Sequence, residues 1–151
     1  MKLIVFCLFT IYCCSLVKAS TMEHKKLKEV LRELKMLKSN LPNTELMMNT
    51  PPKDIEDCCC LTALTCFRET LLEHFGISGK YQKKLYKSLN HTLTVSTFGL
   101  NFCNTETSTT NCSTCHSHPK ENASEFFNRL ESLVQRVRLF QIYFRKLYIK
   151  Y

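Results

Sequence analysis

SEFFNRLESLVQRVRLFQIYFRKL, residues 124–147, carries the strongest periodic signal in the chain. Phe126, Leu130, Leu133, Val137, Phe140, Phe144 and Leu147 follow one another in alternating steps of four and three, which lines them along one face of an α-helix. Such a seam has to be covered by other helices, so the fold expected is all-α. No strand-rich block and no internal repeat competes with it.

Working upstream, Leu27, Val30, Leu31, Leu34, Leu37 and Leu41 form a second apolar face between Thr21 and Leu41, backed by Lys25, Lys26, Lys28, Arg32, Lys35 and Lys38. Pro42 and the pair Pro51-Pro52 then oppose helix continuation and predict an extended connection. Asp54 is placed to cap the next helix, with Glu56 and Asp57 in its first turn, Leu61, Leu64, Leu71, Leu72 and Phe75 inside, and Gly76 at its end. After the short stretch Gly76–Lys80, Tyr81, Leu85 and Leu89 predict a brief antiparallel helix reaching His91 to Leu93. Thr92 to Phe98 reads as a segment able to pair in extended form, and residues 94–121, rich in Thr, Ser and Asn, read as a second long connection. Long first and third connections around a short middle one predict an up-up-down-down four-helix bundle, because each parallel neighbour needs an overhand crossing.

The N-terminus sets the compartment. Lys2, an apolar run from Leu3 to Val17 and the small residues up to Ala19 have the order of a secretory signal peptide, so residues 1–19 are expected to be cleaved off and 20–151 to form one domain. The run is too short for a comfortable membrane span. Cleavage takes Lys2 and Lys18 with it and lowers the formal charge from +8 to +6. A basic secreted chain is suited to acidic receptor surfaces or sulfated glycans. Its cations are scattered among leucines with no nucleic-acid module, which argues against DNA or RNA.

Ten cysteines become seven once the signal is removed: Cys58, Cys59, Cys60, Cys66, Cys103, Cys112 and Cys115. In an oxidising compartment they are disulfide candidates, and the odd number implies at least one free thiol or an intermolecular bridge. Seven residues are nearly two helical turns, so Cys59 and Cys66 share a face. Bridges from that face to Cys112 and Cys115 would clamp the last connection onto the second helix. The assignment is Cys59–Cys112 with Cys66–Cys115. A Cys66–Cys112 crossover is the rival, and Cys103 is free to pair with Cys58 or Cys60.

CSTCH, residues 112–116, has the spacing of a c-type haem site, and Cys112, Cys115, His116 and His118 could be read as zinc ligands or, with Cys115 beside His116, as a thiol catalyst. The matching cysteine pair upstream and the secretory route favour disulfides, so neither metal nor cofactor is expected. There is no Gly-rich phosphate loop, nucleophile elbow or HExxH helix, and no enzymatic activity is expected. Asn90, Asn111 and Asn122 open N-glycosylation triplets.

PPKDIEDCCCLTALTCF (51–67) and CSTCHSHPKENASEFFNRLESLVQ (112–135) resemble the short-chain four-helix cytokines of the interleukin-2, interleukin-15 and interleukin-21 group. The stretch 51–67 is similar to that family's approach to its second helix, with Cys59 and Cys66 in the paired positions and Phe67 following. The stretch 112–135 is similar to its Cys-x-x-Cys loop and last helix, with Glu125, Phe126, Arg129, Ser132, Leu133 and Gln135 in register. Basic CHSHPK sits closer to the interleukin-21 branch than to the interleukin-15 branch, which tends to be acidic there.

The resemblance implies the same two bridges. It further implies two partners, a private interleukin-21-type receptor chain and the common cytokine gamma chain. Lys26 and Lys28 fall on basic positions of the family's first helix and Gln135 on its gamma-chain-facing glutamine. Arg138 departs from the pattern, standing where the interleukin-21 branch has an apolar contact residue, and Met22 stands where it has a basic one.

Together these features predict a secreted, monomeric cytokine that brings two receptor chains together on lymphocytes and regulates their proliferation and differentiation. Lys26 and Lys28 of the first helix, with Lys83, Lys84 and Lys87 of the third, would face the private receptor, and apolar residues near Gln135 the gamma chain. The alternatives are a cationic amphipathic, antimicrobial-type effector acting on anionic membranes through the Phe140–Tyr151 tail, and an interleukin-15-like cytokine.

Overall fold

The computed structural model describes residues 1–41, 45–99 and 111–149. Its first helix, α1 (Lys2–Ser39), runs through the stretch expected to be cleaved as well as through the first predicted helix, because no Gly or Pro interrupts residues 1–41. The two parts differ in packing. Leu3, Ile4, Phe6, Phe9 and Ile11 are exposed, whereas Leu27, Val30, Leu34 and Leu37 are fully covered. Asn40 closes the helix, its N–H donating to the Leu37 carbonyl at 3.0 Å.

The first connection carries a short strand, β1 (Met47–Asn49), antiparallel to β2 (Lys120–Asn122) with Met48 opposite Glu121. This pair was not legible in the sequence, since three-residue strands are too short for a period of two to register. Buried Met48 pins it to the core, and Asn49 Nδ2 donates to the His118 carbonyl at 2.9 Å.

The second helix starts later than Asp54. A 3₁₀ turn, Asp57–Cys59, leads into α2 (Cys60–Phe75), and the Cys59 N–H donates to the Glu56 carbonyl at 2.8 Å. Pro51 is buried, and after Pro52 the residues Lys53 and Asp54 form a turn, so Asp54 lies before the first helical turn and is not its N-cap. Gly76, at φ +61°, ends α2 in the left-handed region that only glycine enters without strain.

Helix α3 (Lys80–Leu89) is followed by α4 (Thr92–Gly99), so the segment expected to be extended is helical instead. β-branched residues disfavour helix only weakly, and here tertiary packing outweighs that preference. The Thr97 hydroxyl donates to the Leu93 carbonyl at 2.6 Å, and the buried Thr94 hydroxyl donates to the Ser88 carbonyl at 2.7 Å across the break between the helices. Both threonines are therefore satisfied while α4 packs on α1 and α2.

A 3₁₀ turn, Cys115–Ser117, and β2 lead into α5 (Ala123–Ile149), which realises the predicted last helix. Phe126 and Phe127 meet edge to face at 5.1 Å, Phe126 meets Phe67 of α2 at 5.1 Å, and Phe75 meets Phe127 at 5.7 Å. Leu27, Leu34, Leu64, Leu71, Leu85, Leu130 and Val137 join them in one buried cluster. The architecture is a mostly helical body with α1 packed most extensively on α3 and α5. Among the described residues, no helix is long and apolar enough to cross a membrane.

Candidate functional site

Two disulfides tie α2 and its entry turn to the segment before α5. Cys59 is bonded to Cys112 and Cys66 to Cys115, with Cα separations of 5.5 and 5.0 Å. The register read from helical geometry therefore stands and the Cys66–Cys112 crossover is excluded. With both sulfurs of CSTCH oxidised, neither Cys112 nor Cys115 has a thiolate to offer a haem, a zinc ion or a nucleophilic reaction. Cys58 is disulfide-bonded as well, and Cys103 lies outside the described residues.

Cys60 stays a buried free thiol. Arg136 Nη2 of α5 donates to its sulfur at 3.4 Å and Arg136 Nε stands 3.9 Å from Asp57. Burial pushes the thiol's pKa up, and the neighbouring guanidinium only partly offsets this. Nothing in the spacing of residues 60 and 136 announced that contact.

The connection is fastened to α5 by charge as well as by sulfur. Arg129 donates to Glu125 at 2.8 Å and to Glu121 of β2 at 3.0 Å. The bond from Arg129 holds the Glu125 carboxyl below the usual range. Asn122 Oδ1 accepts the Glu125 N–H at 2.9 Å, which makes Asn122 the N-cap of α5.

The predicted receptor-facing residues do not form one surface. Lys26 turns into the α1–α3 interface, where Nζ pairs with Glu29 at 3.0 Å and lies 3.4 Å from the buried Ser88 hydroxyl. Its side chain is only 13% exposed. Glu33, beside this group, has its pKa raised by burial. Lys28 points outward on another face of α1, next to α5. Lys83, Lys84 and Lys87 are exposed on α3, and Gln135 is exposed on α5, 3.5 Å from Glu131, which itself pairs with Lys38 of α1. Gln135 thus borders the α1–α5 seam, while the α3 lysines belong to the α1–α3 side. Asn90, Asn111 and Asn122 are all exposed.

Farther along the same seam Gln141 donates to Glu23 at 3.0 Å. There His24 has its pKa lowered, first by burial and then by Arg138, Lys28 and Arg145. This gathering of cations from two helices was missed in the sequence, because residues 24–28 and 138–145 are far apart in the chain. Leu139, Tyr143 and Leu147 are exposed on the outer side of α5, 65%, 63% and 43% respectively. No protein-family model matches the chain, and no solved structure matches it.

Proposed function

We propose that the chain is a secreted helical cytokine of the interleukin-21 type, acting without chemistry of its own by joining a private class I cytokine receptor chain to the common cytokine gamma chain on lymphocytes. The observation that carries this reading is the double clamp Cys59–Cys112 and Cys66–Cys115, the pairing that the resemblance implies for that group.

The directions of the helices support an up-up-down-down bundle. Lys38 meets Glu131 while Glu23 meets Gln141, so α1 and α5 run in opposite senses. Cys60 meets Arg136 while Phe67 meets Phe126, so α2 also opposes α5. Helices α1 and α2 then run the same way, and the Gly76–Gly79 turn sends α3 back. Pairing of β1 with β2 fits two overhand connections crossing on one side of the body.

Within this reading residues 1–19 are the signal peptide, since the apolar side chains of its first three turns pack against nothing that would hold them. The exposed lysines Lys83, Lys84 and Lys87 of α3 form the cationic surface offered to the private receptor, and Lys28, on another face of α1, lies outside it. Gln135, bordered by Leu139, is the centre of the gamma-chain contact, with the desolvated apolar neighbours such a centre needs. Lys26 contributes mainly by holding α1 on α3.

Capture of the purified secreted protein by immobilised receptor chains, followed by a phosphorylation readout in lymphocytes, tests the proposal. Lys83→Glu with Lys87→Glu should weaken capture by the private chain alone, and Gln135→Arg capture by the gamma chain alone. Retention by neither receptor chain at micromolar concentration would reject the reading. A second reading, an effector acting on anionic membranes, draws on the exposed stripe Leu139, Tyr143 and Leu147. Salt-sensitive leakage of anionic vesicles caused by the whole protein would favour it.

A further inference from the structure

We propose that the α1–α5 seam is a binding site for a linear sulfated polysaccharide, held by Lys28, Arg32 and Lys35 of α1 and by Arg138 and Arg145 of α5. The inference is independent of the receptor reading.

Its basis is the placement of the cations. Positions 28, 32 and 35 of α1, with His24 before them, fall within about 80° of arc and span about 16 Å along the helix axis. Lys28, Arg32 and Lys35 are exposed. On α5, Arg138 and Arg145 are seven residues apart, almost two full turns, and so share a face about 10 Å long. The Gln141–Glu23 hydrogen bond, 3.0 Å, fixes the level at which the two rows meet, because Gln141 sits between Arg138 and Arg145 and Glu23 adjoins His24.

The cations of the site outnumber the carboxylates beside them. Among the described residues, none of Lys28, Arg32, Lys35, Arg138 and Arg145 forms an ion pair. Of the carboxylates flanking the seam, Glu131 is paired with Lys38 at 2.6 Å, and Glu23, hydrogen-bonded to the neutral amide of Gln141, has its pKa raised by burial. The Nε of Arg138 is buried with no hydrogen-bond partner among the described residues, so no carboxylate of the fold holds this guanidinium there. His24 has its pKa lowered first by burial and then by Arg138, Lys28 and Arg145, whose charges converge on it.

The shape of the array selects the ligand. A row of cations one helical turn apart matches a chain with regularly repeated anions better than a single phosphate. Sulfate esters stay ionised at every physiological pH and offer acceptors to guanidinium groups. A bilayer fits less well. The exposed apolar residues Leu139, Tyr143 and Leu147 stand roughly 100–180° around α5 from Arg138 and Arg145, so no one plane presents both.

The test is titration of the purified secreted protein with heparin at about 0.15 M ionic strength. Binding should weaken linearly in log affinity against log salt, as expected where cations displace condensed counterions from a polyanion. Arg138→Gln with Arg145→Gln should weaken binding about tenfold, a loss of roughly 1.4 kcal/mol. Lys83→Gln with Lys84→Gln removes the same charge from α3 and should change it less than about twofold, the loss expected from the long-range field alone. Heparin should also raise the His24 pKa, read from its imidazole proton shifts, because the polyanion neutralises Lys28, Arg138 and Arg145 while Glu23 stays bonded to Gln141. Should the α5 double variant misfold, Arg32→Gln with Lys35→Gln, both exposed, serves in its place. Equal losses in the α3 and α5 variants would reduce the effect to net charge and overturn the proposal. So would undiminished binding of desulfated heparin, tighter retention by phosphatidylserine vesicles than by heparin, or no heparin binding at that ionic strength.

Discussion

The first four turns of α5 and its last three are written in nearly the same alphabet, aromatic and aliphatic residues spaced by threes and fours, yet they meet opposite environments. In the first part Phe126, Phe127, Leu130, Val134 and Val137 are covered, and Arg129 and Asn122 fasten the segment to β2. In the last part Leu139, Tyr143 and Leu147 stand in solvent. The difference teaches that periodicity identifies a helix without saying how much of it is enclosed. That depends on what packs opposite, and here the enclosure is supplied by α1, by α2 and by the connection stapled to α2.

The largest blow to the enclosed half should come from losing both staples. In the chain-entropy account a bridge closing 53 residues contributes about 4 kcal/mol, but its neighbour then closes only a ring of about a dozen residues and adds roughly 3. Cys59, Cys66, Cys112 and Cys115 replaced together by Ser should therefore cost about 7 kcal/mol and leave no folded protein, read by non-reducing gel and circular dichroism. Removing one pair alone should cost about 3, because the other keeps the long loop closed.

Phe126→Ala should destabilise by about 3–5 kcal/mol in urea unfolding, since its ring contacts with Phe67 and Phe127 end in a cavity. Asn122→Ala should cost about 1 kcal/mol through the lost N-cap. Asn122→Asp keeps the cap and abolishes the glycosylation triplet, so comparing the two separates helix capping from any glycan effect.

Acid should affect the two halves in different windows. Glu125 has a lowered pKa when folded, so its contribution is present above the unfolded carboxylate value and is lost as pH falls through the folded one. His24, at the level of the last turns, is also lowered, so stability drops as pH falls from its ordinary value near 6.5 through the depressed folded value. His24→Gln should reduce the second decline to the share carried by His118, whose pKa burial also lowers, and leave the first, as measured by Tm against pH. Leu139→Ser should produce the smallest change, within about 0.5 kcal/mol, since its side chain is 65% exposed. A large loss there would erase the contrast between the halves.

The helical elements were legible because their apolar faces repeat often enough to outweigh local noise. So were the two bridges, through the seven-residue spacing of Cys59 and Cys66. The errors have physical causes. Asp54 resembles a cap by composition, but it sits in a turn with Lys53 just after Pro51-Pro52, and the α-helix begins only at Cys60. Thr92–Phe98 is β-branched, and its helical state depends on hydroxyl bonds and on packing against α1 and α2 that no local window contains. The β1–β2 pair joins residues some seventy positions apart. The same distance hid the Arg136–Cys60 contact and the cationic seam, and it divided the lysines of α1, which suggest a single basic face but serve two interfaces.

The lone reduced sulfur of α2 makes the folded molecule its own reporter of opening. Among the described residues beyond position 19, Cys60 alone keeps a free sulfhydryl, and it is 1% exposed. An alkylating reagent reaches it only during excursions that lift α5 from the start of α2, so its rate of modification counts those excursions one molecule at a time.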